Sequence, residues 1–153
     1  HVEVPQGLRP VDDVNHWLDW LLTQQVLPAF NRSGFTFLYD YPAAQCALAK
    51  IESGLDGTSV AKRFELFYGE VELANGFYEL TDADEQLSRF CRENEERQYI
   101  GKKASNIDEN FIDALRSGLP DCSGVAIGLD RLIMVSTGAE RIDQVLSFAW
   151  DRS

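Results

Sequence analysis

The stretch CSGVAIGLDRLIMV, residues 122–135, joins a strand of small residues to a helix that opens on an acid and an arginine. Gly124, Ala126 and Gly128 alternate, so one face of the strand carries almost no side chain and a flat ligand can lie against the backbone. Asp130 and Arg131 begin the helix, which continues through apolar Leu132, Ile133 and Val135. Its first turn offers free N–H groups and the positive dipole end to an anion. Arg131 adds a permanently charged, forked donor set suited to phosphate oxygens. The same glycine spacing also suits a strand packed closely on its neighbour and followed by a surface arginine; the stretch alone does not separate the two readings.

Working outward, residues 63–68 and 70–77 are expected to be strands joined by a tight turn. With Tyr68-Gly69 as a two-residue turn, Phe67 faces Glu70, Leu66 faces Val71, and Glu65 falls opposite Glu72. Facing carboxylates repel. A divalent cation would remove the conflict, because magnesium takes oxygen ligands from one or two carboxylates together with phosphates. A solvent-facing acidic ladder is the other reading of the pair. Glu72 and Glu79 are seven residues apart, which in a straight strand aims them at opposite faces. A bulge at Asn75-Gly76 would reverse the facing and bring Asn75, Phe77 and Glu79 into one cleft with Glu72. Taken singly, these residues also read as an Asn-Gly turn, a core phenylalanine and an acid near the helix start at Asp82.

The remaining pattern fills in an α+β domain. Asp12 and Asp13 precede Val14, Trp17, Leu18, Leu21 and Leu22 at helical spacing, and Pro28 is expected to close that helix. Residues 35–39 are aromatic and extended, ended by Tyr41-Pro42, and 53–59 read as a loop. Asp82 with Glu85 signals a helix whose buried stripe is Leu87, Phe90 and Cys91. A short helix is expected over 108–117, stopped by Gly118 and Pro120, and a last one carrying Ile142, Val145, Leu146 and Ala149. Strands and helices do not alternate regularly, which favours a largely antiparallel sheet flanked by helices.

Composition narrows the function classes. A chain of 153 residues suits one domain with a substantial core. Its net charge of -11 argues against a nucleic-acid-binding surface. There is no apolar run of membrane-spanning length, and HVEVPQGLRP has no signal-peptide pattern. Cys46, Cys91 and Cys122 are odd in number and widely spaced, so neither a disulfide framework nor a zinc site is suggested, and a reducing cytoplasm is the expected setting. Cys46 and Cys122 are read as buried small residues, and His1 and His16 as surface residues.

GVAIGLDRLIMV resembles motif 3 of the class II aminoacyl-tRNA synthetases, the lysyl branch in particular. FELFYGEVELANGFYEL (64–80) resembles the other half of that family's active site, and FLYDYPAAQCALAKI (37–51) the strand and loop before it. With the ending VLSFAWDRS, the chain from about Phe35 onward is most similar to the lysyl-synthetase paralogues that ligate beta-lysine to elongation factor P. The resemblance implies ATP and Mg2+ as cofactors. It implies Glu65 and Glu72 as metal ligands, Glu72, Leu73, Gly128 and Arg131 as ATP-binding, and Arg131 as the catalytic cation on the γ-phosphate. Asn75, Phe77, Glu79 and Ala126 would then contact the amino acid, Glu79 receiving its side-chain ammonium. Lysyl-tRNA synthetases carry glycine where this chain has Ala126. The beta-lysine branch carries alanine there, and a packing alanine with no role in selection is the alternative.

The resemblance thus implies activation of lysine or beta-lysine and its transfer to elongation factor P, with tRNA not a substrate and the full-length parent a homodimer. A lysyl-tRNA synthetase fragment is the rival enzyme reading. A synthetase-like module that binds an amino acid without activating it is the rival from another class, disfavoured by retention of Glu65, Glu72, Glu79 and Arg131. No second arginine-bearing hairpin (motif 2) and no motif 1 are found. Residues 1–153 are therefore read as a single domain, the C-terminal part of a longer catalytic domain, inactive alone.

Overall fold

The computed structural model describes residues 14–150. His1, the helix start expected at Asp12 and Asp13, and the end of the VLSFAWDRS segment lie outside the described residues. Five strands make one antiparallel sheet: β1 (Phe35–Pro42), β2 (Ile51–Ser53), β3 (Ser59–Tyr68), β4 (Val71–Tyr78) and β5 (Ser123–Ile127). They run in the order β1-β3-β4-β5. Short β2, which was not anticipated, pairs with the beginning of β3 on the side that β4 takes further along. Helices α1 (Val14–Leu21), α2 (Ala83–Tyr99), α3 (Glu109–Arg116) and α4 (Leu129–Thr137) flank the sheet, giving the expected α+β class. None of the described helices is long and apolar enough to cross a membrane.

Local chemistry explains most of the boundaries. Asp82 caps α2 by accepting hydrogen bonds from the backbone N–H groups of Asp84 and Glu85, and Asp108 caps α3 by accepting from Phe111 N–H. Gly118 and Gly138 follow α3 and α4 with φ of 105° and 70°, a left-handed conformation that glycine adopts without strain. After α1 the chain widens into a π turn, Leu22–Val26, and then tightens into a 3-10 turn, Leu27–Ala29, that contains Pro28 and ends in extended Phe30. The last expected helix is absent. Only a 3-10 turn, Ile142–Gln144, forms there; Ala149 is buried and Val145 and Leu146 are half-buried without a helix, while Ile142 and Phe148 stay exposed.

The buried stripe of α2 also differs from expectation. Gln86 and Arg89 are the buried residues, Leu87 and Phe90 are half-buried, and Cys91 is exposed. The polar pair can go inside because Arg89 finds hydrogen-bond partners there, described below. Cys46 and Cys122 are half-buried rather than buried, all three cysteines are free, and His16 is exposed as expected.

The two sheet faces are unlike. Ala61, Arg63, Glu65 and Phe67 of β3 lie on the covered face, with Tyr41, Ala61 and the partly buried Leu38, Cys46 and Phe77 in its core. Phe30 packs edge-on against Phe67 at 5.5 Å, bringing the turn after α1 over this face. On the other face Phe35 and Phe37 pair with Tyr68 and Phe64 yet stay more than half exposed, as do Tyr39, Val125 and Ile127.

Candidate active site

The hairpin between β3 and β4 sets the site, and its register corrects the expectation. The turn residues are Gly69-Glu70, with Gly69 at φ 54°, and Tyr68 pairs with Val71. Phe67 therefore faces Glu72, while Glu65 faces Asn75 rather than Glu72. The register shifts between Leu66 and Phe67, so the extra residue of β4 falls at Leu73, not at Asn75-Gly76. Leu73 and Ala74 are both buried, which anchors the bulge. Gly76 has another reason to be glycine: a Cβ there would stand 2.4 Å from the Phe64 ring. The bulge still reverses the facing. Glu72 shares a face with Phe67 and Glu65, and that face continues through Asn75 and Phe77.

Glu65 is the buried acid of the site, 7% exposed. Arg63, two residues earlier on the same strand face, forms an ion pair with it. Asn75 Nδ2 donates to it at 3.3 Å. Arg63 also donates to Gln45 O at 3.2 Å and lies over the Tyr41 ring, 4.5 Å from its centroid. Glu65 approaches Tyr41 Oη at less than full hydrogen-bond geometry. Burial, then Glu65, hold the Tyr41 phenol well above its ordinary value, with the nearby Arg63 charge acting the other way. Tyr41 Oη, Arg63 Nε and Asn75 Oδ1 are buried polar atoms without a partner, gathered around one carboxylate.

Glu72 sits where β4 meets α4. Arg131 Nη1 donates to Glu72 O at 3.0 Å and reaches its carboxylate at 3.4 Å, and Gly128 N–H donates to Leu73 O at 2.9 Å. Glu72, Leu73, Gly128 and Arg131, expected from the resemblance to meet one ligand, are thus neighbours. A Cβ on Gly128 would meet only ordinary contacts, the nearest at 3.5 Å, so the fold itself does not demand glycine there. Glu65, Phe67, Glu72 and Arg131 line one open cavity of about 430 Å³, walled by Leu22 and Thr23. Two carboxylates beside an arginine are a poor cage for a bare ion, and the described residues hold no group of three or more His, Cys, Asp or Glu that could grip a metal. Magnesium asks less of a protein, since it keeps most of its ligands as water and phosphate oxygen and takes only one or two carboxylates.

Further along the same face, Asn75 pairs with Ala126 and Phe77 with Gly124, which brings β5's small residues beside β4's polar ones. The Glu79 carboxylate lies over Gly124, where a Cβ would stand 2.3 Å from its Oε1. Glu79 is half-buried, and no hydrogen bond or ion pair among the described residues engages its carboxylate. Every expected site residue therefore lies on or beside one sheet face. Sequence reasoning missed Arg63 and Tyr41. Arg63 was legible, since positions two apart in a strand share a face. Tyr41 was not, because a register shift between Tyr39 and Tyr41, with Asp40 at φ 56°, turns it inward.

The profile of the family described as tRNA synthetases class II (D, K and N) matches residues 23–152. The chain is 47% identical over 142 residues to the elongation factor P (R)-beta-lysine ligase of Salmonella gallinarum (strain 287/91 / NCTC 13346), covering 93% of this chain and 43% of that protein. Proteins of the same name from Salmonella dublin and Salmonella paratyphi B are 46% identical over 142 residues, with the same shares covered. The chain spans less than half the length of these curated relatives.

Proposed function

The chain belongs to the class II (D, K and N) tRNA synthetase family, and from that premise we propose that it is part of an ATP-dependent ligase that modifies elongation factor P with lysine or beta-lysine. Residues 1–153 are the C-terminal part of its catalytic domain, working in the cytoplasm. The amino-acid carboxylate attacks the α-phosphorus of ATP, pyrophosphate leaves, and an aminoacyl adenylate remains. A lysine amine of elongation factor P then attacks the acyl carbon, AMP leaves, and the nitrogen gives up its proton.

The observation that carries this reading is the unengaged Glu79 carboxylate, on the same sheet face as Glu72 and Arg131. A half-buried carboxylate with no cation of its own suits a substrate ammonium, because an ion pair shielded from water discriminates against neutral side chains. Asn75 and Phe77 lie between Glu79 and Glu72 and frame the amino acid. Arg131 neutralises phosphate charge, Gly128 leaves room for the nucleotide beside Leu73, and positioning does most of the catalysis. Glu65 and Glu72 are the residues that would hold magnesium, which when bound neutralises phosphate charge. For that, Arg63 and Arg131 must share their carboxylates with the ion.

The test is amino-acid-dependent ATP–pyrophosphate exchange by the full-length protein and its Glu72→Gln variant. Exchange should be lost while the thermal midpoint stays within a few degrees of the parent. Undiminished exchange in the variant would remove Glu72 from the machinery.

A further inference from the structure

The geometry points to Arg89, on α2, as a positioning residue that sets Glu79 for the substrate ammonium; this rests on the reading of Glu79 given above. Arg89 is 9% exposed, and burying a guanidinium is costly unless its donors are met. They are met on two sides. Nη1 donates to Ala47 O at 3.1 Å and Ala49 O at 2.8 Å, while Nε donates to Glu85 at 3.1 Å and Nη2 completes the ion pair with it.

The two carbonyls belong to the segment that brackets Glu79. Ala47 has φ 47°, a left-handed conformation that a residue with a Cβ adopts only when its surroundings hold it there. Ala49 is fully buried and bridges Glu79 as an isolated antiparallel pair. Lys50 N–H donates to Tyr78 O at 2.8 Å and Leu80 N–H to Leu48 O at 3.0 Å, one bond on each side of Glu79. From the other edge, Glu79 N–H donates to Cys122 O at 3.0 Å, and the carboxylate rests over Gly124. Glu79 is therefore clamped between β5 and a strained loop, and the loop is pinned by Arg89. Only a forked, planar donor set spans both carbonyls and Glu85 at once; a lysine ammonium does not.

The experiment uses the full-length protein with Arg89→Lys, Glu85→Gln, Glu79→Gln and the Arg89→Lys/Glu79→Gln double variant. KM for the amino acid, KM for ATP and kcat are read by pyrophosphate exchange, with the thermal midpoint by calorimetry. Arg89→Lys should raise the amino-acid KM roughly ten-fold to a hundred-fold, the scale of a misplacement of about 1 Å. The ATP KM should stay within about two-fold, since Glu72 and Arg131 are not held by this loop. Glu85→Gln, at a half-exposed side chain, should move the same KM less and keeps the test open if Arg89→Lys fails to fold. In the Glu79→Gln background the Arg89 substitution should add nothing further. An unchanged amino-acid KM with a lowered midpoint, or an equal effect in both backgrounds, overturns the positioning role. An unchanged KM in Glu79→Gln alone overturns the assignment of Glu79 instead, so the two failures are distinguishable.

Discussion

Tyr41 lies where burial and the Glu65 carboxylate act on its phenol in the same direction. Both favour the neutral form, so the folded protein keeps the proton at pH values where the unfolded chain, with an ordinary value near 10, releases it. Stability from this group is complete below about pH 10 and is lost as the pH climbs above it. In urea titrations between roughly pH 8 and 11, the parent should lose more stability at the alkaline end than Tyr41→Phe does. Parallel curves would mean that the phenol is not so constrained. Ala126 makes a second test at this scale. Its Cα pairs with Asn75, on the face that carries Phe77 and Glu79, and it is exposed to a ligand laid there; one methyl against a bound substrate is worth about 1–3 kcal/mol of discrimination. In the full-length protein, Ala126→Gly should shift the ratio of kcat/KM values for α-lysine over beta-lysine upward by roughly ten-fold. An unchanged ratio would make Ala126 a packing residue and favour the lysyl-tRNA synthetase alternative.

At the scale of elements, α2 carries Arg89, which donates to the carbonyls of Ala47 and Ala49 beside Glu79. The helix is rich in charge and buries Gln86 and Arg89, with Leu87 and Phe90 only half-buried, and its first turn is held by the Asp82 cap. Asp82→Ala removes the acceptor for two backbone N–H groups and should cost about 1 kcal/mol, read as a lowered urea midpoint with unchanged slope. No change in midpoint would show that the cap is replaced by water. The hairpin illustrates a different dependence. A one-residue displacement of its turn changed which residue faces Glu65, yet the bulge at Leu73 restored the grouping of Glu72 with Asn75 and Phe77. Facing depends on the parity of the residues between two points, so a bulge anywhere between Glu72 and Asn75 has the same outcome.

For the molecule as a whole, the sheet has one face that carries the candidate site and another on which Phe35, Phe37, Tyr39, Val125 and Ile127 are more than half exposed. β1 and β5 are its end strands among the described residues. The cavity with Glu72 and Arg131 is open, and the chain spans 43% of the length of its Salmonella gallinarum relative. The chain by itself should therefore give no measurable pyrophosphate exchange, since contacts missing from the transition state lower turnover and not binding alone. Exchange by this chain alone at a rate near that of the full-length protein would refute its reading as an incomplete site.

The sequence by itself determined the α+β class, the helix start at Asp82, the short helix over 108–117, the strand-to-helix junction after Ile127 and the identity of the polar residues on β4, because caps, alternation and glycine spacing are local signals. It also carried the resemblance that grouped Glu65, Glu72, Glu79 and Arg131. What only the tertiary structure decided were contacts between segments distant in the chain. These are the pairing of Glu65 with Asn75, the inward turn of Tyr41, the contact of Gly76 with Phe64, and the burial of Arg89 against Ala47 and Ala49. An arginine in a charged helix reads as solvent-facing until the carbonyls that satisfy it are in place, and those carbonyls lie some forty residues away. Burial of a polar group depends on its partners, and only the folded chain brings the partners to it.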